Sequence, residues 1–430
     1  MSHEELLARH RNVLPDWLAL YYEQPISLER GEGRHVWDAG GNRYLDFFAG
    51  ILTTMSGHAV PEIVDTIKNQ ADKMLHSSTL YLIEPAIELA ERIAELAPVD
   101  DGKVFFTSSG SEANETALLL AAAYRRSNQV LALRNSYHGR SFATVAITGN
   151  RGWSPSALTP VNVSYVHGGY RLRSPWSGHS DAAYIGECVY DLRSVIDTMT
   201  SGDVACLIAE PIQGVGGFAT PPDGLFGAMH KVLDEHGILL ISDEVQTGWG
   251  RTGGHFWGID AHGVRPDMIT FAKGLGNGLS IGGVVARAEI MDCLQANSIS
   301  TFGGNPLSTA GALANLDYLL DNDLQANCLK RGEQLMGRIR AAVDGRDYVA
   351  EVRGKGLMLG VELVRPGGLE PSPEAASWML EETRRNGLLV GKGGLYGNVL
   401  RIAPPMSLTE DEAEEGGDIL GQAIRSYDPV

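Results

Sequence analysis

Residues 238–248 read Ile238-Leu239-Leu240-Ile241-Ser242-Asp243-Glu244-Val245-Gln246-Thr247-Gly248. The uncharged, aliphatic-rich run Ile238–Ser242 predicts a strand covered on both faces, which needs no alternation of apolar and polar positions. It stops at a carboxylate pair and a polar turn, the strand end where open α/β sheets bind their ligands. Working outward, the pattern recurs at Val104–Phe106, Val130–Leu133, Val161–Val166, Ala205–Ala209, Met268–Phe271 and Gly283–Ala286. Each run is separated from the next by a longer helical or loop stretch. Seven such runs predict a large, mostly parallel α/β sheet.

The flanking segments fit that reading. Glu84–Ala97 sets Ile87, Ala90, Ile93, Ala94 and Ala97 on one helical face, with Pro85 in the tolerant first turn. Ser111–Arg126 predicts a second helix, with a buried Ala/Leu-rich body. After about Asn305 the pattern shifts to helices at Pro306–Asp321, Leu324–Ala342 and Pro373–Asn386, with a strand pair near Tyr348–Arg353 and Gly356–Leu363. This predicts a smaller α+β domain packed on the first without a flexible linker.

Composition narrows the chemistry. The chain has 430 residues, 43% hydrophobic and 20% charged, which suits a large soluble core. Its 35 basic and 53 acidic side chains leave a formal charge of -18, a field that repels phosphate backbones and argues against a nucleic-acid partner. Glycine supplies 52 of 430 residues, about 12% against a usual value near 7%, which implies many tight or ligand-hugging turns. Cys188, Cys206, Cys293 and Cys328 lack metal-site spacing and read as reduced thiols; no metal is expected. The amino terminus carries no secretory h-region, and the uncharged run Gly152–Tyr170 is broken by Pro155 and Pro160. A cytoplasmic protein without a membrane partner is expected.

Three strand ends carry chemistry. Thr107-Ser108-Ser109-Gly110-Ser111-Glu112-Ala113-Asn114 is a strand opening through small residues into a helix. Such a start suits an anion, though a plain Ser or Thr N-cap explains it equally well. Asp243 ends the central strand, and Lys273 directly follows Met268–Phe271. A lysine there is costly unless its charge is paired or removed, and snorkelling is the bland alternative. Together, an anion cradle, an acid and an amine are the three anchors for the phosphate, ring nitrogen and aldehyde of pyridoxal phosphate. No G-x-G-x-x-G or P-loop pattern is present to support a nucleotide instead.

At this point the sequence resembles the class III (ω-amino acid) aminotransferases of the fold type I pyridoxal 5'-phosphate superfamily. The matching motifs are Asp38-Ala39-x-Gly41-Asn42-x-Tyr44-Leu45-Asp46, Gly57-His58, Ser109–Glu115, Tyr137-His138-Gly139-Arg140, Glu210-Pro211-Ile212-Gln213-Gly214, Asp243–Gly248, Ala272-Lys273-Gly274, Thr301–Pro306 and Arg401-Ile402-x-Pro404-Pro405. The resemblance implies a large cofactor-binding domain over 61–307 and a small domain built from 1–60 and 308–430. It implies that Lys273 holds the cofactor covalently and then serves as base, that Asp243 keeps the pyridine nitrogen protonated, and that Gln246 bonds the ring hydroxyl. Tyr137 would stack on one ring face and Val245 pack on the other. Gly110 and Ser111 amides would take the phosphate, joined by Thr301 from the neighbouring subunit of a homodimer. His138 would line the pocket or serve a structural role, as would His58 and Glu115. Tyr81, Trp153 and Trp249 are aromatic candidates for its wall.

Substrate choice turns on two arginines. In the aminobutyrate and ornithine branches an arginine at the position of Arg401 binds the α-carboxylate, and a glutamate five residues after the Glu of Glu-Pro-x-Gln-Gly gates it. Here that position is Val215, so Arg401 is expected to stay open. Val215, with His255-Phe256-Trp257-Gly258 and Gly391-Lys392-Gly393, resembles the alanine-glyoxylate branch, whereas Arg140 matches the aminobutyrate branch. An ω-amino acid donor of the β-alanine or 4-aminobutyrate type, with pyruvate or glyoxylate as acceptor, is the expected pairing. The alternatives are a 4-aminobutyrate, ornithine or diamine aminotransferase using 2-oxoglutarate, or an aminomutase, decarboxylase or racemase on the same fold.

Overall fold

The computed structural model describes residues 3–155 and 159–429. At its centre is a seven-stranded sheet in the spatial order Gly102–Thr107, Gly282–Arg287, Met268–Phe271, Leu239–Asp243, Cys206–Ala209, Gln129–Leu133, Asn162–Val166. Every neighbouring pair is parallel except those made by Gly282–Arg287, which runs antiparallel to both of its neighbours. All seven expected strands are present, with ends moved by one or two residues.

Alternation along these strands feeds two cores. Leu131, Leu133, Leu207, Leu240, Ile269 and Phe271 pack on one face. Val130, Ala132, Ile208, Ile241, Met268 and Val284 pack on the other, so neither face meets water. The second face is covered by the helix Gly110–Arg125, whose Ala113, Ala117 and Ala121 are fully buried. Those small side chains let the helix axis approach the sheet and place its amino terminus at the strand ends. Ser109 caps it, its hydroxyl accepting from the Glu112 amide at 3.2 Å.

Two smaller sheets flank the large one. Leu28–Glu32, His35–Asp38 and Arg43–Asp46 form an antiparallel ribbon that Leu388–Leu389 extends in parallel, tying the amino-terminal segment to the carboxyl-terminal one. Val349–Lys355 and Met358–Leu363 pair as expected, and Val399–Ile402 and Gly391–Gly393 extend that sheet. The glycine-rich 391–393 stretch is therefore strand. Its Gly391 lies where a Cβ would come within 2.1 Å of the Phe48 ring. The helix Pro306–Asp321 has the expected bounds, and Leu324–Val343 and Pro373–Arg385 lie within a residue of theirs. Among the described residues no helix is long and apolar enough to cross a membrane, and all four cysteines are free thiols.

Candidate active site

The parallel strands deliver their carboxyl ends to one edge, where a cleft of about 190 Å³ opens. Gly110, Ser111, Tyr137, His138, Asp243, Val245, Gln246 and Lys273 line it, together with Ser109, Asn114, Gly139 and Glu210. Eight of the residues expected to hold the cofactor are thus brought to one cavity from four separate stretches of chain.

Asp243 is 4% exposed. Its Oδ2 accepts from Asn114 Nδ2 and bonds His138 Nδ1, each at 2.8 Å, and its Oδ1 accepts from the Val245 amide at 3.2 Å. Asn114 is itself oriented: its Nδ2 also donates to the His138 carbonyl, and its Oδ1 accepts from Thr270 Oγ1 at 2.6 Å. The carboxylate is therefore held in one orientation by donors.

Lys273 sits in the turn after Met268–Phe271 with φ 41°, a left-handed backbone that a non-glycine residue adopts at a cost of order 1 kcal/mol. Desolvation pushes its ammonium down from 10.5 to about 8, against the opposing charges of Asp243 and Glu210. An appreciable fraction is thus a neutral amine near neutral pH, the state that attacks an aldehyde.

Gln246 is buried, and its Oε1 has no hydrogen-bond partner. Such an orphan acceptor calls for a donor from a bound group. His138 Nε2 is likewise buried and unpartnered. Gly110 lets the helix terminus close on Val245, whose methyls would lie 3.2 Å from a Cβ there. The helix amino terminus, the fixed acid, the orphan amide oxygen and the lowered lysine together fit pyridoxal phosphate: Gly110 and Ser111 for phosphate, Asp243 for a protonated ring nitrogen, Gln246 for a hydroxyl, Lys273 for the aldehyde.

Of the four cleft residues outside the sequence assignment, Asn114 and Glu210 bring side-chain chemistry to the site. Asn114 is a polar residue on a buried Ala/Leu helix, one turn after Gly110. Glu210 follows a wholly buried strand, the same signal that singled out Asp243. It is 3% exposed, and burial raises its carboxyl to about 7. Its Oε1 accepts from the Tyr137 amide and its Oε2 from the Gly214 amide, both at 2.8 Å.

The remaining candidates lie elsewhere. Arg401 is buried at 3% exposure, its Nη1 donating to the Gly214 carbonyl and its Nη2 to the Tyr21 hydroxyl, both at 3.3 Å. Phe48 and Phe218 face its guanidinium at 4.9 and 5.6 Å, and its Nε has no partner. Among the described residues no carboxylate pairs with it. It is not among the residues lining the cleft, although its charge reaches Lys273. Arg140 is exposed; its guanidinium lies 5.3 Å from the Trp17 ring, outside the cleft lining, although its charge reaches Tyr137. Thr301 is exposed and lies outside the cleft of its own chain. Trp153 meets Tyr137 edge-on at 5.6 Å, Trp249 is core beside Trp257, and Tyr81 is 72% exposed. His58 bonds Asp46 and Glu115 accepts from the Ala143 amide, both away from the cleft. No cluster of His, Cys, Asp or Glu among the described residues is arranged to hold a metal.

A mostly parallel seven-stranded sheet carrying these anchors at its carboxyl edge defines a fold type I pyridoxal phosphate-dependent transferase. Residues 20–424 match the family described as aminotransferase class-III, and the chain belongs to that family. An alanine–glyoxylate aminotransferase 2 homologue from Arabidopsis thaliana is 37% identical over 96% of this chain and 86% of its own length. An alanine/serine racemase from Pyrococcus horikoshii is 36% identical over 98% and 90%. The solved (S)-enantioselective ω-transaminase from Thermomicrobium roseum superposes with a TM-score of 0.91 at 35% identity, covering 98% of each chain. The protein is an aminotransferase.

Proposed function

We propose that this aminotransferase moves the amino group of an ω-amino acid of the β-alanine or 4-aminobutyrate type to pyruvate or glyoxylate, in two half-reactions through one site. The observation that carries the reading is the buried, acid-free Arg401. A desolvated guanidinium without a counter-ion is costly, and a substrate carboxylate relieves that cost. With Val215 at the gate position, no acid among the described residues competes for it, so the α-carboxylate of a keto acid has an open seat.

The residues divide the remaining work. Bound pyridoxal phosphate supplies an electron sink for the carbanion formed at the substrate carbon. Asp243, fixed by Asn114 and His138, holds a proton on the ring nitrogen. Gln246 gives its orphan oxygen to the ring hydroxyl, while Tyr137 and Val245 enclose the ring and keep water from it. Neutral Lys273 Nζ would take the proton from the substrate carbon and return it to the cofactor carbon that carried the aldehyde. Arg140, at the mouth beside Tyr137, is the candidate for a donor's distal carboxylate.

A homodimer completes the site in this reading, with Thr301 reaching the phosphate of the partner's cleft. Supporting it, Thr301 lies on an exposed surface with Phe302 62%, Leu80 72%, Tyr81 72% and Leu82 93% exposed, an apolar set suited to burial against a second copy. The racemase relative motivates one alternative, proton return to either face of the same carbon without nitrogen transfer.

The test is a single-turnover half-reaction. Cofactor-loaded protein is mixed separately with β-alanine, 4-aminobutyrate, L-alanine, ornithine and putrescine while the bound cofactor's absorbance is followed. Conversion by β-alanine or 4-aminobutyrate, reversed by pyruvate or glyoxylate, is expected. Reaction with ornithine or putrescine alone, or regeneration by 2-oxoglutarate alone, overturns the substrate reading. Loss of optical activity in alanine without keto acid formation identifies the racemase.

A further inference from the structure

Glu210 is a buried carboxylate with no arginine or lysine ion pair among the described residues, and its two oxygens each hold one backbone amide. The two amides belong to different parts of the site. One is that of Tyr137, which leads directly into His138 and its bond to Asp243. The other is that of Gly214, whose carbonyl accepts from Arg401. Gly214 also lies against the Gln246 amide, where a Cβ would come within 2.2 Å of Nε2.

We propose that Glu210 is a positioning residue that locks the carboxylate-binding end of the site, Arg401 through Gly214, to the reacting end, Tyr137 and His138. The inference rests on the assignment of Arg401 to the acceptor carboxylate.

Chemistry explains why a carboxylate stands there. Only a carboxylate offers an acceptor oxygen to each of two converging amides. A glutamine of the same shape can satisfy one, but turns its own NH2 toward the other, donor against donor. The loop beyond Gly214 is held in the same manner. The Val215 carbonyl accepts from the Gly394 amide, the Gly216 carbonyl from Asn135 Nδ2, and the Gly217 carbonyl from Arg353 Nε and Nη2. With every other carbonyl of 214–217 fixed, the Glu210–Gly214 bond joins this frame to the aromatic wall. Glu210 and Asp243 also oppose the desolvation that lowers Lys273.

The test compares Glu210→Gln, Glu210→Asp and Arg401→Ala with the parent enzyme, each cofactor-loaded and checked for cofactor stoichiometry. Glu210→Gln is expected to raise the pyruvate KM about tenfold, the size of one lost hydrogen bond, and to lower kcat for the donor half-reaction by a similar factor. The pH midpoint for covalent attachment of pyridoxal phosphate to the apo-protein, expected near 8 in the parent from the lowered Lys273 ammonium, should fall in Glu210→Gln. It should hold in Glu210→Asp, which keeps the charge and loses the reach. Glu210→Gln combined with Arg401→Ala should raise KM no further than Arg401→Ala alone. Parent-like KM and midpoint in Glu210→Gln overturn the proposal, as does an equal midpoint shift in Glu210→Asp. An unchanged KM in Arg401→Ala instead overturns the acceptor assignment, leaving the attachment midpoint to decide Glu210's influence on Lys273.

Discussion

Replacing Arg401 with alanine removes a buried guanidinium that has no acid partner among the described residues and whose charge reaches Lys273. Its present hydrogen bonds are long and neutral, at 3.3 Å to Gly214 and to Tyr21. A keto acid carboxylate seated there would take charge-assisted bonds, each worth about 1.5–3 kcal/mol. Two bonds at the low end give about 3 kcal/mol, or roughly a 150-fold rise in KM for pyruvate at about 1.4 kcal/mol per factor of ten. The assay is steady-state transamination with saturating donor, varying pyruvate in one series and propanal, an acceptor without a carboxylate, in another. Pyruvate should lose the full factor and propanal little. Equal losses for both acceptors, or a pyruvate KM within twofold of the parent, would refute the reasoning. Stability supplies a second check. Arg401→Met fills the space between Phe48 and Phe218 without an unpaired charge, so the apo-protein should melt no lower than the parent.

Three further outcomes follow from named geometry. Covalent attachment of pyridoxal phosphate to the apo-protein should accelerate as pH rises, because the deprotonated Lys273 amine is the nucleophile, and should level off above about 8. At pH 7 that lowering from 10.5 gives about 300 times more neutral amine than an ordinary lysine, so a rate still climbing in proportion to hydroxide at pH 10 contradicts it. Val215→Glu should place a carboxylate in the loop that abuts Arg401 and raise the pyruvate KM by roughly tenfold or more; steady-state kinetics showing no change would mean that the side chain does not reach the guanidinium. Gly214→Ala should drive a methyl into the Gln246 head, 2.2 Å from Nε2, and weaken cofactor retention in equilibrium dialysis, whereas Gly178→Ala, with nothing within 4 Å, should not.

The central sheet was legible because a strand buried on both faces leaves no polar residue to interrupt its run, as Cys206–Ala209 and Leu239–Asp243 demonstrate. The same reasoning is blind to direction. Gly282–Arg287 has the composition of its parallel neighbours and runs antiparallel, since pairing sense depends on the connection. The strand Leu28–Glu32, Leu-Glu-Arg-Gly-Glu, was not legible at all. It is mostly exposed and charged, and is held by its partner His35–Asp38. Asp243 and Lys273 stood out as charges directly behind apolar strands. Glu210 sent the same signal and went unassigned, because its role lies in two backbone amides from distant segments that no local pattern reveals. The Arg140 motif was legible, but not that its exposed guanidinium lies against Trp17, more than a hundred residues earlier in the chain.

Arg401 shows what the fold adds to a missing residue. Valine at 215 says that the gating glutamate is gone from its place, but an acid from any other part of the chain could have stood in. What surrounds the guanidinium is the Tyr21 hydroxyl, the Gly214 carbonyl and the faces of Phe48 and Phe218. None of these carries a negative charge. An arginine kept dry in neutral company has its charge available at all times. Under the proposed function it would favour a carboxylate and disfavour an ammonium in both half-reactions, which would set an acid-bearing substrate apart from a bare diamine by electrostatics before any other contact is made.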